Sequence, residues 1–120
     1  YIFFVGDNVD GVGIYPGQEK NLVLKDLREQ YDLLAGYLEK VPSRITMFMC
    51  PGQHDSVRVP EPQPPIDNHY GSSLHGLPNL ILVSNPSLVK ILEGDKKRSI
   101  RFYGNNRRYR RRFPFVCPIN

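Results

Sequence analysis

Ile45-Thr46-Met47-Phe48-Met49-Cys50-Pro51-Gly52-Gln53-His54-Asp55 is an apolar run that stops at Pro-Gly and gives way to an amide, an imidazole and a carboxylate. A short apolar run bounded by a turn signal reads as a fully buried strand of a parallel sheet. Pro51 and Gly52 end it and place Gln53, His54 and Asp55 at its carboxyl edge. In open α/β sheets that edge is where ligands bind.

The same grammar opens the chain. Tyr1 to Val5 is a β-prone apolar run, and Gly6 ends it ahead of Asp7-Asn8-Val9-Asp10-Gly11. Between the two strands, Leu27, Tyr31, Leu34 and Leu38 recur at helical spacing. Asp26 is the expected N-cap, Glu29 completes a capping-box pattern, and Pro42 closes the helix. The result is a βαβ unit with its chemistry at one edge, and the helix is assigned to packing. A buried strand at residue 1 is read as belonging to a chain that starts further upstream.

Downstream, Val59-Pro60-Glu61-Pro62-Gln63-Pro64-Pro65 excludes helix and inner strand and is expected on the surface, as a cleft wall or a plain connector. Leu80–Val83 and Leu88–Leu92 read as further strands. Turns at Asn85-Pro86 and Glu93-Gly94-Asp95 lead to a last apolar-containing stretch, Ser99 to Tyr103. Beyond Tyr103 neither periodicity survives. No internal repeat is visible.

Length and composition fit one modest domain with a small core: 120 residues, 40% hydrophobic and 23% charged. No stretch approaches the roughly 18 apolar residues of a membrane span, and no charged-then-apolar leader is present. Cytoplasmic residence is the expectation. Cys50 and Cys117 fit no metal-ligand spacing; Cys50 is expected to pack as a small hydrophobe, with no disulfide between them. The net charge of +4 hides a division. Nine of the 16 basic side chains lie between Lys96 and Arg112, and the first 95 residues are net −5. We therefore divide the chain into an α/β domain over 1–95 and a basic tail over 96–120, which is expected to be poorly ordered.

Asp7, Asp10, His54 and Asp55, with the Gln53 amide, bring oxygen and nitrogen donors to one sheet edge. That mixture suits Mn, Fe, Zn or Mg better than a thiolate-seeking metal. Such an ion acidifies water and polarises a phosphoryl oxygen, so the indicated reaction is phosphate-ester hydrolysis. A Gly-Asp turn alone is commonplace, and a lone loop histidine is more often hydrogen-bonded than catalytic. The pairing of the two loops carries the argument.

Gly6-Asp7-Asn8-Val9-Asp10 and Gly52-Gln53-His54-Asp55 resemble two signature motifs of the calcineurin-like metallophosphoesterases, Gly-Asp-x-x-Asp and Gly-Asn-His-Asp/Glu. The longer strings Gly6 to Gln18, Pro51 to Arg58, Glu61 to Pro64, Leu77 to Asn79 and Val83 to Pro86 are similar to the small subunits of archaeal family-D DNA polymerases. The resemblance covers residues 1 to 95. It implies a partial metallophosphoesterase sandwich with two divalent ions, typically manganese. Asp7 would bridge the ions, Gln53 would be a metal ligand, and Asp10 would orient His54. His54 would contact the scissile phosphate and assist the leaving group, with Arg58 also on the substrate. The implied function is a 3′-to-5′ DNA exonuclease that proofreads for a large catalytic subunit. The alternative is a structural polymerase subunit with a decayed site; a phosphoesterase for small esters is a third reading.

This chain departs from that pattern at three places. Gln53 stands where the family has Asn and moves the amide by about 1.5 Å, which weakens one metal position. The family's first motif, Asp-x-His, would lie upstream of Tyr1 and is not within these 120 residues. Tyr103-Gly104-Asn105 replaces its Tyr-His-Gly-Arg, and neither His69 nor His75 matches a ligand position. The chain thus carries about half of a two-metal site, and hydrolysis by it alone is not expected. The tail suits a phosphate backbone, with Tyr109 and Phe113 among its arginines, but also matches an out-of-frame translation, which is the reading preferred here.

Overall fold

The computed structural model describes residues 1–93 and 95–102. Strand β1 (Ile2–Val5) pairs in parallel with β2 (Met47–Cys50), Ile2 lying opposite Met47 and Val5 opposite Cys50. Strand β3 (Leu80–Leu82) pairs in parallel with the other side of β2, giving the order β1-β2-β3. All four residues of the central strand are buried, as expected for a strand covered on both faces.

One face packs on helix α1 (Leu27–Leu38) and the one-turn helix α2 (Ser72–His75). Met47 and Met49 meet Tyr31, Ala35 and Leu38 there, with Ile66, Leu74 and Leu77 closing the cluster. Each buried Met, Leu or Ile there contributes about 1.5–3 kcal/mol by leaving water. Helix α1 starts where expected, because Asp26 Oδ1 accepts from the Arg28 and Glu29 amides at 2.8 and 3.2 Å.

The other face of β2, Phe48 and Cys50, packs with Phe3, Val83, Val89 and Ile100. Val89 and Ile100 belong to an antiparallel hairpin of β4 (Ser87–Glu93) and β5 (Lys96–Phe102). The molecule is therefore α/β, with helices on one side of a parallel sheet and a β-hairpin on the other. The basic segment beginning at Lys96 enters as the return strand of this hairpin, so the boundary drawn at residue 95 falls in its turn. Ile100 supplies the apolar contact that draws it in. Residues 103–120, including Cys117, lie outside the described residues.

The proline-rich segment departs from a purely surface course. Gln63 is 2% exposed, and its backbone bridges to Asn85 with N–H to O distances of 2.7 and 3.0 Å. Ile66 beyond it joins the core.

Candidate functional site

The loops after β1 and β2 meet at the sheet's carboxyl edge. Gly6 and Asp7 both take left-handed backbone angles, φ 75° and 50°. A glycine adopts that conformation freely, and a short acidic residue tolerates it. The turn folds Asp7 onto the Pro-Gly corner, where a Cβ on Gly52 would collide with Asp7 N and Oδ1. Asp7 Oδ1 accepts from the His54 amide at 3.1 Å. No donor among the described residues reaches its second oxygen, and none engages the His54 imidazole.

Asp55, grouped above with the candidate ligands, has a different role. Its Oδ2 accepts from Gly52 N at 2.8 Å, Asn8 N at 3.1 Å and Asn8 Nδ2 at 3.0 Å, and its Oδ1 from the Tyr31 hydroxyl at 2.9 Å. The carboxylate is 5% exposed and fully engaged. It ties the two loops to each other and to α1. Burial lifts its pKa above the usual carboxylate value, while the Gly52, Asn8 and Tyr31 donors pull it back. Burial, then the Asp55 charge, pushes the Tyr31 hydroxyl well above its ordinary 10.0, so it stays protonated and donates. That hydroxyl also accepts from Ser56 N at 2.9 Å, so α1 contributes a tether as well as packing.

Asp10 sits in a loop held by two buried glutamines. Gln18 Nε2 donates to the Asp10 carbonyl at 2.9 Å, and its Oε1 accepts from Ile14 N at 2.9 Å. Gln30 Oε1 accepts from Gly11 N at 2.9 Å, and its Nε2 donates to the Gly11 and Leu24 carbonyls at 3.1 and 2.9 Å. A Cβ at Gly11, whose φ is 75°, would lie 2.5 Å from the His54 carbonyl. The Asp10 loop thus runs beside His54. No hydrogen bond joins the exposed Asp10 carboxylate to the imidazole.

On the far side, Gln63 Nε2 donates to the Gly52 and Arg58 carbonyls at 3.2 and 2.9 Å. Its Oε1 accepts from Asn85 Nδ2 at 2.7 Å. Exposed Arg58 turns its Nε to the Pro62 carbonyl at 2.7 Å. His69 and His75 stand apart from the loops: His69 meets Arg28, and His75 Nε2 pairs with the Ile66 carbonyl at 2.9 Å.

The sequence reading missed Asn8, Tyr31, Gln18, Gln30, Gln63 and Asn85, which hold the loops. Their one visible signal was uncharged polar residues within apolar or motif-bearing stretches. Asp7 offers one unengaged oxygen, and Gln53 carries an amide oxygen at the adjoining loop, both hard donors suited to a divalent ion. Among the described residues, no three His, Cys, Asp or Glu side chains form a metal-holding group. The residues present fit part of a metal site.

No family model matches the chain. It is 44% identical over 106 residues to the DNA polymerase II small subunit of Methanothermobacter thermautotrophicus, a match covering 88% of this chain and 21% of that protein. The Pyrococcus abyssi protein of the same name is 45% identical over 91 residues, covering 76% of this chain and 15% of that protein. The Archaeoglobus fulgidus one is 43% identical over 96 residues, 80% and 19%. The chain is homologous to a segment of the archaeal DNA polymerase II small subunits. It spans about a fifth or less of the length of these small subunits. A match of 106 residues in a chain of 120 takes in the whole β4–β5 hairpin, so the likeness to the Methanothermobacter small subunit continues into the basic segment.

Proposed function

We propose that this segment carries the central part of a metal-dependent 3′-to-5′ DNA exonuclease site, in the proofreading small subunit of an archaeal replicative polymerase. The observation that carries the reading is the joined pair Asp7 and His54, bonded through the His54 amide while the imidazole and one Asp7 oxygen stay unengaged. The Asp55 carboxylate and the glutamine amides beside them are tied down. Asp7 and Gln53 would help hold two divalent ions, manganese in the first instance, within a partial metallophosphoesterase sandwich. Such ions supply charge that polarises a phosphoryl oxygen and acidifies water.

The protein's own groups do the rest. His54 contacts the scissile phosphate and protonates the departing oxygen, Asp10 on the neighbouring loop would turn its free carboxylate onto the imidazole to orient it once substrate is bound, and Arg58 meets a neighbouring phosphate. A large catalytic subunit is the partner, DNA the substrate and the cytoplasm the compartment. No helix among the described residues is long and apolar enough to cross a membrane.

The test replaces the homologous segment of the Methanothermobacter small subunit with this chain and follows manganese-dependent release of nucleotides from the 3′ end of single-stranded DNA. Activity lost in His54→Ala and kept or raised in Gln53→Asn supports the nuclease. An inert chimaera revived only by Gln53→Asn overturns it in favour of a structural subunit whose site has decayed.

A further inference from the structure

The two faces of the β4–β5 hairpin differ. The register sets Leu88 opposite Arg101, Lys90 opposite Ser99 and Leu92 opposite Lys97. These six alternate with inward-packed Val89, Ile91 and Ile100, so they share the outward face. Leu88 and Leu92 are 49% and 65% exposed, and Lys90, Lys97, Ser99 and Arg101 are exposed as well. The face holds three cations and no acid, and no other described side chain forms an ion pair with them.

We propose that this outward face binds the sugar-phosphate backbone of DNA, as a contact separate from the loops at the sheet's carboxyl edge. The first 95 residues are net −5, a balance that disfavours a polyanion wherever cations are not gathered locally. A one-signed ribbon on that acidic body selects which side approaches. Lysine is depleted in protein–protein interfaces, whereas nucleic-acid interfaces are polar and strongly positive. Lys97 and Arg101 lie four residues apart on one strand face, about 14 Å at ~3.4 Å per residue. That is roughly the rise of four nucleotides along one strand. Leu88 and Leu92 flank Lys90 on β4 and lie opposite Arg101 and Lys97, beside the cations, where deoxyribose offers apolar surface. Such contacts position DNA without reading its sequence. The inference rests on the polymerase reading only in naming DNA, and it needs no metal.

The test is fluorescence anisotropy of labelled single-stranded and duplex DNA with the full chain, in chelator without divalent ions, across a salt series. The triple variant Lys90→Gln/Lys97→Gln/Arg101→Gln is expected to bind more weakly. It should flatten the slope of log K against log salt by about 2 on single strands and about 2.7 on duplex. Lys90→Arg/Lys97→Arg should keep the slope, as should the off-face control Lys25→Gln/Arg44→Gln. An unchanged slope in a triple variant whose circular dichroism matches the parent overturns the inference, as does equal loss in the control. Binding of poly-glutamate with no binding of DNA overturns it in favour of an acidic protein partner. A nuclease-dead chimaera that retains the slope leaves it standing.

Discussion

The Tyr31 hydroxyl donates to Asp55 Oδ1 at 2.9 Å, and through that bond helix α1 grips the loop that carries His54. The same oxygen takes the Ser56 amide, so one phenol serves both ends of the turn. Asp55 in turn holds Asn8, next to Asp7. The helix, both loops and the open pair Asp7–His54 form one mechanical unit.

Tyr31→Phe removes a donor to a buried carboxylate and is expected to cost about 1.5–3 kcal/mol. Asp55→Ala strands the Gly52 and Asn8 amides as well and costs more. In the double variant the losses add to less than their sum, because each partner's removal already breaks the shared bond. Urea midpoints of the four proteins measure this.

Burial pushes the Cys50 thiol up from 9.0 to about 11. The native state therefore holds a proton that the unfolded chain releases, and stability falls as pH rises through that window. The Tyr31 hydroxyl, raised from 10.0, acts in the same direction higher up. Denaturation midpoints from pH 8 upward should decline, with Cys50→Ala removing the earlier part of the decline and Tyr31→Phe the later part.

Gly52→Ala places a methyl against Asp7 N and Oδ1. Backbone must shift, at about 1–3 kcal/mol, and Asp7 moves with it. Gly36→Ala, in α1 with nothing within 4 Å of the added carbon, is expected to stabilise by about 0.5–1 kcal/mol. Opposite signs in thermal denaturation check the pair.

Gln63→Leu keeps bulk but takes the side-chain donor from the Gly52 and Arg58 carbonyls and one acceptor from the Asn85 amide, for an expected loss of about 1–3 kcal/mol. Limited proteolysis should show faster cleavage between Ser56 and Pro60 than in the parent.

The parallel strands and α1 were legible because their signals are local: an unbroken apolar run, a Pro-Gly stop, a helical stripe behind Asp26. The positions of Asp7 and His54 followed from the same punctuation. What Asp55 does was not legible, since a carboxylate becomes a tether only when Asn8, Gly52 and Tyr31 converge on it. The glutamines were hidden for a similar reason, because Gln18 and Gln30 find their carbonyls only across the fold. Strand β5 escaped full notice because Lys96, Lys97, Arg98 and Arg101 mask its alternation, and only pairing with β4 reveals which residues turn inward.

Apart from Asp55 and Asp7, the groups that clamp the loops are neutral: the Tyr31 hydroxyl and the amides of Asn8, Gln18, Gln30, Gln63 and Asn85. Neutral dipoles at contact distance are scarcely touched by a Debye atmosphere, whereas exposed cations are screened by it. Ionic strength is thus a nearly orthogonal control on this molecule. Added salt should strip a polyanion from the ribbon while leaving the architecture around Asp7 and His54 in place, so loss of binding and loss of shape can be told apart in a single titration.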